Sequence, residues 1–121
     1  MSKIAIILIA VTVLLLGGGA YFFSKPTEVP ELSGYEYFWG DGCPHCKIVA
    51  EFFDSWTDKD KIKITKYEVW NNQKNATLMA ERAKTCNIQR TEMGVPLLVK
   101  PDGVCLIGDQ PIIEHFKSLT F

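Results

Sequence analysis

The chain has 121 residues, of which 47% are apolar, with 13 basic and 14 acidic side chains and a formal net charge of −1. This length has room for one domain and some additional chain. Charges of both signs are interspersed and no basic surface stands out, which argues against nucleic acid as a partner.

The N-terminal segment is the most apolar part of the chain. Residues 4–23 are apolar or small, with Thr12 as the only polar side chain. Twenty residues at a helical rise of ~1.5 Å span about 30 Å, the thickness of the hydrocarbon core of a bilayer. We therefore predict a transmembrane anchor over residues 1–23. The alternative is a signal peptide that is cleaved near the small residues Gly18, Gly19 and Ala20.

The charges around this segment predict its orientation. Lys3 and the α-amino group precede the apolar run, and positive charge favours the cytoplasmic side of a membrane. We expect a single-pass protein of the cell membrane with the rest of the chain on the extracytoplasmic side. Residues 24–33 contain two prolines and predict an extended linker to a domain over residues 34–121.

The first half of this domain shows two strands and two helices. The aromatic segment Tyr35–Trp39 predicts a buried strand. A helix follows from Pro44, since proline is tolerated in the first helical turn. Alternating residues over 63–70 predict a second strand, and a second helix begins after the capping pair Asn71-Asn72 and ends near residue 87.

The second half contains a hairpin and a final helix. Residues 95–99 and 104–107 predict two strands joined by a tight turn over 101–103. A last helix over 110–119 is predicted to be capped by Gly108-Asp109. The order strand, helix, strand, helix, strand, strand, helix predicts an α/β fold. A βαβ unit followed by a ββα unit gives a four-stranded mixed sheet with helices on both faces.

The motif Cys43-Pro44-His45-Cys46 opens the first predicted helix of the domain. Residues at i and i+3 of a helix have Cβ atoms roughly 5–6 Å apart, and a disulfide needs about 3.8 Å, so the dithiol and the disulfide are both accessible. The free N–H groups and positive dipole end of the helix stabilise a thiolate at Cys43, the attacking species. His45 adds a hydrogen-bond donor or a positive charge. Cys46, inside the first turn, is expected to be less exposed and to resolve mixed disulfides.

Two structural alternatives compete with this redox interpretation. A C-x-x-C pair can be half of a zinc site, but the other Cys and His residues, Cys86, Cys105 and His115, offer no second pair at ligand spacing. We therefore predict no metal and no cofactor. A purely structural bond between Cys43 and Cys46 would close too small a loop to stabilise the fold much.

Cys86 and Cys105 are candidates for a structural disulfide. Their bond would close a loop of about twenty residues and contribute roughly 3 kcal/mol to stability. The alternative is two separate buried thiols that act as small apolar side chains. We favour the disulfide, because a small exported domain gains most from such a bond.

Three short segments carry a family resemblance: Tyr37-Phe38-Trp39, Cys43-Pro44-His45-Cys46 and Val95-Pro96. Together they resemble the thioredoxin superfamily over about residues 34–121, and the dipeptide between the cysteines is similar to that of DsbA-type oxidants. The resemblance implies that Pro96 is cis and lies against the redox disulfide. It also implies that the backbone of Val95 pairs with a bound substrate segment. Trp39 is expected to border the same site.

The chain departs from the family at one position. Family members often have a buried acid six residues before the first cysteine, and this chain has Tyr37 there. Glu36 is adjacent but is predicted to point to the other face of the sheet. Proton handling by His45, by water or by Glu36 therefore stays open.

These features predict an enzyme, a thiol–disulfide oxidoreductase that acts on protein thiols and disulfides outside the cytoplasmic membrane. An oxidant or isomerase is favoured over a reductase, and a redox partner in the membrane is expected to reset the pair. The alternative is a non-catalytic anchored module that binds an extracytoplasmic partner, or that holds Cu(I) through Cys43 and Cys46.

Overall fold

The structure is a computed structural model that describes residues 1–23 and 29–121, with side chains described up to Gly18 in the first segment. Helix α1 runs over Lys3–Phe23. Among the residues described, no helix combines the length and the apolar character needed to cross a membrane. The spanning role assigned to residues 1–23 stays a prediction. Residues 24–28 of the predicted linker lie outside the described part of the chain.

A β-sheet and three further α-helices form the rest of the described chain. The strands are β1 (Tyr35–Trp39), β2 (Ile64–Glu68), β3 (Leu97–Val99) and β4 (Cys105–Ile107). The helices are α2 (Pro44–Ser55), α3 (Gln73–Thr85) and α4 (Asp109–Ser118). A 3₁₀ turn, Lys59–Lys61, leads from α2 to β2.

The four strands lie in the order β2-β1-β3-β4. Strand β1 pairs in parallel with β2 and antiparallel with β3, and β3 and β4 form an antiparallel hairpin. The predicted α/β class and the mixed four-stranded sheet are therefore confirmed. Strand β1 lies between β2 and β3. The loop that follows Trp39 therefore starts at the carboxyl end of an interior strand.

Alternation along the strands sends neighbouring side chains into two separate cores. Tyr37 and Leu98 face α2 and α4, where they pack against Val49, Phe53 and Phe116. On the opposite face, a second core lies under α3 and contains Phe38, Val69, Met79, Leu97 and Val99. Helices on both faces, as predicted, leave the central strands covered on each side.

Several element boundaries differ from the predicted ones by one or two residues, and three of them have a clear physical reason. Strand β2 ends at Glu68. The backbone N–H groups of Trp70 and Asn71 donate to the Glu68 carboxylate and not to a neighbouring strand. Strand β3 begins at Leu97, since Pro96 has no N–H to donate to a ladder. The predicted cap by Gly108-Asp109 was wrong in part: Gly108 is the N-cap with φ +96° and has no side chain to donate or accept, and Asp109 already belongs to α4.

Candidate active site

Cys43 and Cys46 form a disulfide at the N-terminus of α2, with their Cα atoms 5.2 Å apart. Cys43 is the N-cap residue, and its Sγ accepts a hydrogen bond from the backbone N–H of Cys46 at 3.1 Å. The residues are 7% and 3% exposed, respectively. Cys46 is the less exposed, as predicted, but both sulfurs are buried in this oxidised state. The N-cap position is the one in which a sulfur anion receives helix N–H groups.

The predicted substrate-binding pair lies directly beside this disulfide. The Val95–Pro96 peptide bond is cis, as the family resemblance implies. The carbonyl oxygen of Val95 lies 4.0 Å from Cys43 Sγ, although the two residues are 52 positions apart in the chain. The carbonyl of Pro96 accepts a hydrogen bond from the N–H of Gly108 at 3.0 Å, which fixes this loop to the start of α4. The fold thus brings the two predicted segments together.

No protein-family model, curated protein or solved structure matches this chain. The resemblance to the thioredoxin superfamily therefore stays a prediction from the residues. Any assignment of function must come from the geometry and the chemistry of the site itself.

His45 lies next to the cysteines and has an acidic neighbour from another element. Its Nδ1 is 3.4 Å from Oδ1 of Asp109, the first residue of α4. The His45 side chain is 68% exposed, whereas that of Asp109 is 15% exposed. The sequence did not predict the contact between His45 and Asp109, because that contact depends on the order of the strands. Strand β4 leads the chain back to the end of the sheet at which Cys43 lies.

A surface cleft of about 470 Å³ adjoins the disulfide. Trp39, predicted to border the site, lines this cleft together with both cysteines and Pro44. The remaining lining residues are Gly40, Asp41, Gly42, Lys47 and Ala50.

Glu68 holds the loop that precedes Cys43. Its carboxylate accepts backbone N–H groups from Trp70 at 2.8 Å, Asn71 at 2.9 Å and Asp41 at 3.2 Å. Desolvation alone would raise the pKa of Glu68, but these three hydrogen bonds together lower it. The ring of Trp70 also lies so close to Gly40 that a Cβ at that position would overlap it. The β2–α3 turn therefore shapes the cysteine loop.

A second, smaller cleft of about 150 Å³ adjoins Cys46. Tyr37, Cys46 and Lys66 line it, with Trp39, Ala50 and Phe53 completing the wall. The Tyr37 hydroxyl is buried and has no hydrogen-bond partner in the described structure. Burial raises the pKa of Tyr37, so its phenol stays protonated. Sequence reasoning identified the position of Tyr37 but missed Lys66.

Glu36 forms an ion pair on the face of the sheet that α3 covers, which is the face predicted for it. Its carboxylate receives two hydrogen bonds from Arg82, at 2.6 and 2.9 Å, and both side chains are 8% exposed. The bond to Glu36 raises the pKa of Arg82. Arg82 belongs to α3, whereas Cys43 caps α2 and Cys46 lies within it on the opposite face of the sheet, so Glu36 and the cysteines are separated by the sheet.

The remaining cysteines and histidine lie in other surroundings. Cys86 follows α3 and forms a disulfide with Cys105 in β4, with Cα atoms 5.9 Å apart. His115 is half-buried and lies 3.0 Å from the Tyr35 hydroxyl through Nε2, and burial lowers the pKa of its imidazole. Within the residues described, no group of three or more Cys, His, Asp or Glu side chains is placed to hold a metal ion.

Proposed function

We propose that the chain is a thiol–disulfide oxidoreductase of the thioredoxin superfamily, with Cys43 and Cys46 as its redox pair. One observation carries this proposal: the disulfide lies at the N-terminus of α2, with Cys43 Sγ beside the Val95 carbonyl. A helix N-terminus favours a sulfur anion, and we propose that the carbonyl next to that sulfur is a backbone acceptor for an extended peptide.

The proposed reaction is an exchange of two electrons between two sulfur pairs. In the oxidising direction, a substrate thiolate attacks Cys43 Sγ, the Cys43–Cys46 bond breaks and Cys46 leaves as a thiolate. A second substrate thiolate then attacks the substrate sulfur of the mixed disulfide and releases Cys43 as a thiolate. The substrate gains a disulfide and the protein gains a dithiol. In the reverse direction Cys43 attacks and Cys46 resolves.

His45 supports the oxidising direction. A donor or positive charge next to Cys43 stabilises its thiolate and hence the reduced protein, which makes the disulfide a stronger oxidant. We therefore favour an oxidant or isomerase over a reductase. Repeated turnover then requires a partner that takes two electrons from the dithiol, and we propose a redox protein of the membrane for this role.

The proposed location is the extracytoplasmic side of the cell membrane, with residues 1–23 as a single-pass anchor. Two disulfides in one small domain support an oxidising compartment. The apolar side chains of α1 support the anchor, since Ile4, Leu14 and Leu15 are each more than 70% exposed. Fractionation of cells, followed by protease treatment of intact spheroplasts, tests both parts of this assignment.

Turnover by the full-length chain tests the proposed activity. Reduction of insulin by dithiothreitol and oxidation of a peptide dithiol should both be accelerated, and Cys43→Ser should abolish the acceleration. Cys46→Ser should instead accumulate a mixed disulfide with the substrate, visible by mass spectrometry, because nothing resolves it.

The second cysteine pair supplies the matched control. The double variant Cys86→Ala/Cys105→Ala removes one disulfide as well, but its positions lie away from the α2 N-terminus. Assayed below its melting temperature, it should retain the parent rate. If the folded parent catalysed neither reaction, the oxidoreductase proposal would be overturned in favour of a binding or Cu(I)-holding module.

A further inference from the structure

Gly40 is a buried glycine that its own backbone conformation does not require. The described glycines with positive φ are Gly42, Gly103 and Gly108, so the backbone at Gly40 is one that other residues can adopt. A Cβ at Gly40 would instead overlap Cδ2 and Cε2 of the Trp70 indole and come within 2.8 Å of its Cε3. Glycine at this position is therefore required by the ring that lies on it.

The main chain under this ring leads directly to the first redox cysteine. The carbonyl oxygen of Gly40 accepts a hydrogen bond from the N–H of Cys43 at 3.1 Å, which closes the turn between β1 and α2. The Sγ of Cys43 in turn accepts the N–H of Cys46 at 3.1 Å, with Cys43 as the N-cap of α2. A continuous set of contacts therefore joins the indole of Trp70 to the sulfur of Cys43.

The backbone that carries the Trp70 ring is itself held in place. The N–H of Trp70 donates to the Glu68 carboxylate at 2.8 Å, and the N–H of Val69 donates to the carbonyl of Trp39 at 2.9 Å. Trp70 is 56% exposed, whereas Gly40 beneath it is buried. The indole therefore lies between Gly40 and solvent and covers the start of the cysteine loop.

We propose that Trp70 is a positioning residue that keeps Cys43 at the N-cap of α2 when the disulfide is reduced. This inference deepens the proposed redox function and rests on it. In the oxidised protein the bond to Cys46 holds Cys43 in place by itself. After reduction, the loop from Gly40 to Cys43 depends on its hydrogen bonds and on the ring that covers it. Because the N-cap position gives a Cys43 thiolate the helix N–H groups, the contact with Trp70 stabilises the reduced form more than the oxidised one.

The reduction potential of the Cys43–Cys46 pair tests this inference in the full-length chain. Equilibration with glutathione, followed by thiol trapping and peptide mass spectrometry, gives the oxidised fraction of this pair separately from that of Cys86–Cys105. In Trp70→Ala the equilibrium constant for reduction should fall about threefold to tenfold, which lowers the potential by about 14–30 mV. Trp70→Phe keeps a flat ring over Gly40 and should restore most of this difference. A merely structural role would destabilise both redox forms equally and leave the potential unchanged.

Gly40→Ala supplies the complementary variant. Its Cβ overlaps the indole, so the loop or the ring must shift, and the potential should fall as it does in Trp70→Ala. In the double variant Gly40→Ala/Trp70→Ala the overlapping ring is absent, so the second substitution should add little to the effect of the first. Fully additive decreases would show that the two residues act independently and would overturn the inference.

Phe121→Ala is the matched control. It also removes an exposed aromatic ring, 59% exposed against 56% for Trp70, but that ring packs on Trp56 at the end of the chain. Its potential should equal that of the parent. Parent potentials in both Trp70→Ala and Gly40→Ala would overturn the inference, even if the parent turned over normally. A lowered potential in both, with a parent that catalysed neither reaction, would uphold the inference and reject the enzyme, so the two proposals fail separately.

Discussion

The carboxylate of Glu68 accepts a hydrogen bond from the backbone N–H of Asp41 at 3.2 Å, across 27 positions of sequence. Glu68 is the last residue of β2, and Asp41 lies in the loop that leads from β1 to Cys43. The same carboxylate binds the N–H groups of Trp70 and Asn71. One side chain therefore connects the cysteine loop with the β2–α3 turn.

Replacement of Glu68 by alanine should loosen the cysteine loop. All three backbone N–H groups lose their acceptor, so their amide hydrogens should exchange faster and turnover should fall, while the core of the domain stays folded. Hydrogen exchange followed by mass spectrometry, together with the insulin assay, measures both effects. Glu81→Ala is a suitable control, because the Glu81 carboxylate pairs with Lys84 in the same helix. Equal exchange at Asp41 in parent and variant would contradict the prediction.

The stability contributed by Glu68 should also depend on pH. Its pKa is lower in the folded protein than the ordinary value of 4.5, so the unfolded chain binds the proton more readily. The contribution is therefore complete above about pH 4.5 and is lost as pH falls through the lower folded pKa. Denaturant titrations across this range should show a smaller acid-induced loss of stability in Glu68→Gln than in the parent. If the free energies of unfolding of the parent and of Glu68→Gln fell equally with pH, the prediction would be wrong.

Much of the fold could be predicted from local patterns. The aromatic strand Tyr35–Trp39 was predicted with both of its ends correct, since turn residues bound it on either side. The Asn72 cap of α3 was likewise visible, and its side chain accepts the N–H of Asn75. Errors occurred where a side chain ends a strand early, as at Glu68, or a proline delays its start, as at Pro96. Those endings depend on hydrogen bonds that periodicity does not report.

The candidate site could be predicted from the sequence less completely than the fold. The cysteine motif and Val95-Pro96 could be found because they are contiguous and chemically distinctive. Asp109, Lys66 and Glu68 could not, because ordinary charged residues gain their roles only through strand order and register. Long-range placement of common residues is the information that a single sequence does not supply.

His45→Ala should make the Cys43–Cys46 pair a weaker oxidant. Under the proposed function, the His45 imidazole stabilises the thiolate of Cys43 and thus the reduced form, so its removal should lower the reduction potential on the order of 30 mV, about a tenfold change in the equilibrium constant. Equilibration with glutathione, followed by thiol trapping, gives the potential. His115→Ala is the control, since His115 bonds Tyr35 and leaves the potential unchanged. A potential that stayed constant in His45→Ala would remove the argument for the oxidising direction.

The ion pair between Glu36 and Arg82 should be costly to break and irrelevant to catalysis. Arg82→Met leaves a buried carboxylate without its two hydrogen bonds, and such losses cost about 3–5 kcal/mol of unfolding free energy. The double variant Glu36→Leu/Arg82→Met removes both charges and should be less destabilised than either single variant. Urea titration measures these differences. Turnover per folded molecule should stay near that of the parent, because the pair faces α3. A lower rate per folded molecule would show that Glu36 contributes to catalysis.

Tyr37→Phe should be tolerated by the fold. Among the residues described, the Tyr37 hydroxyl is buried and has no hydrogen-bond partner, so its removal should leave the free energy of unfolding unchanged or raise it by up to about 1–3 kcal/mol. Urea titration of the disulfide form measures this difference. A Tyr37→Phe protein that was clearly less stable than the parent would show that the hydroxyl stabilises the fold.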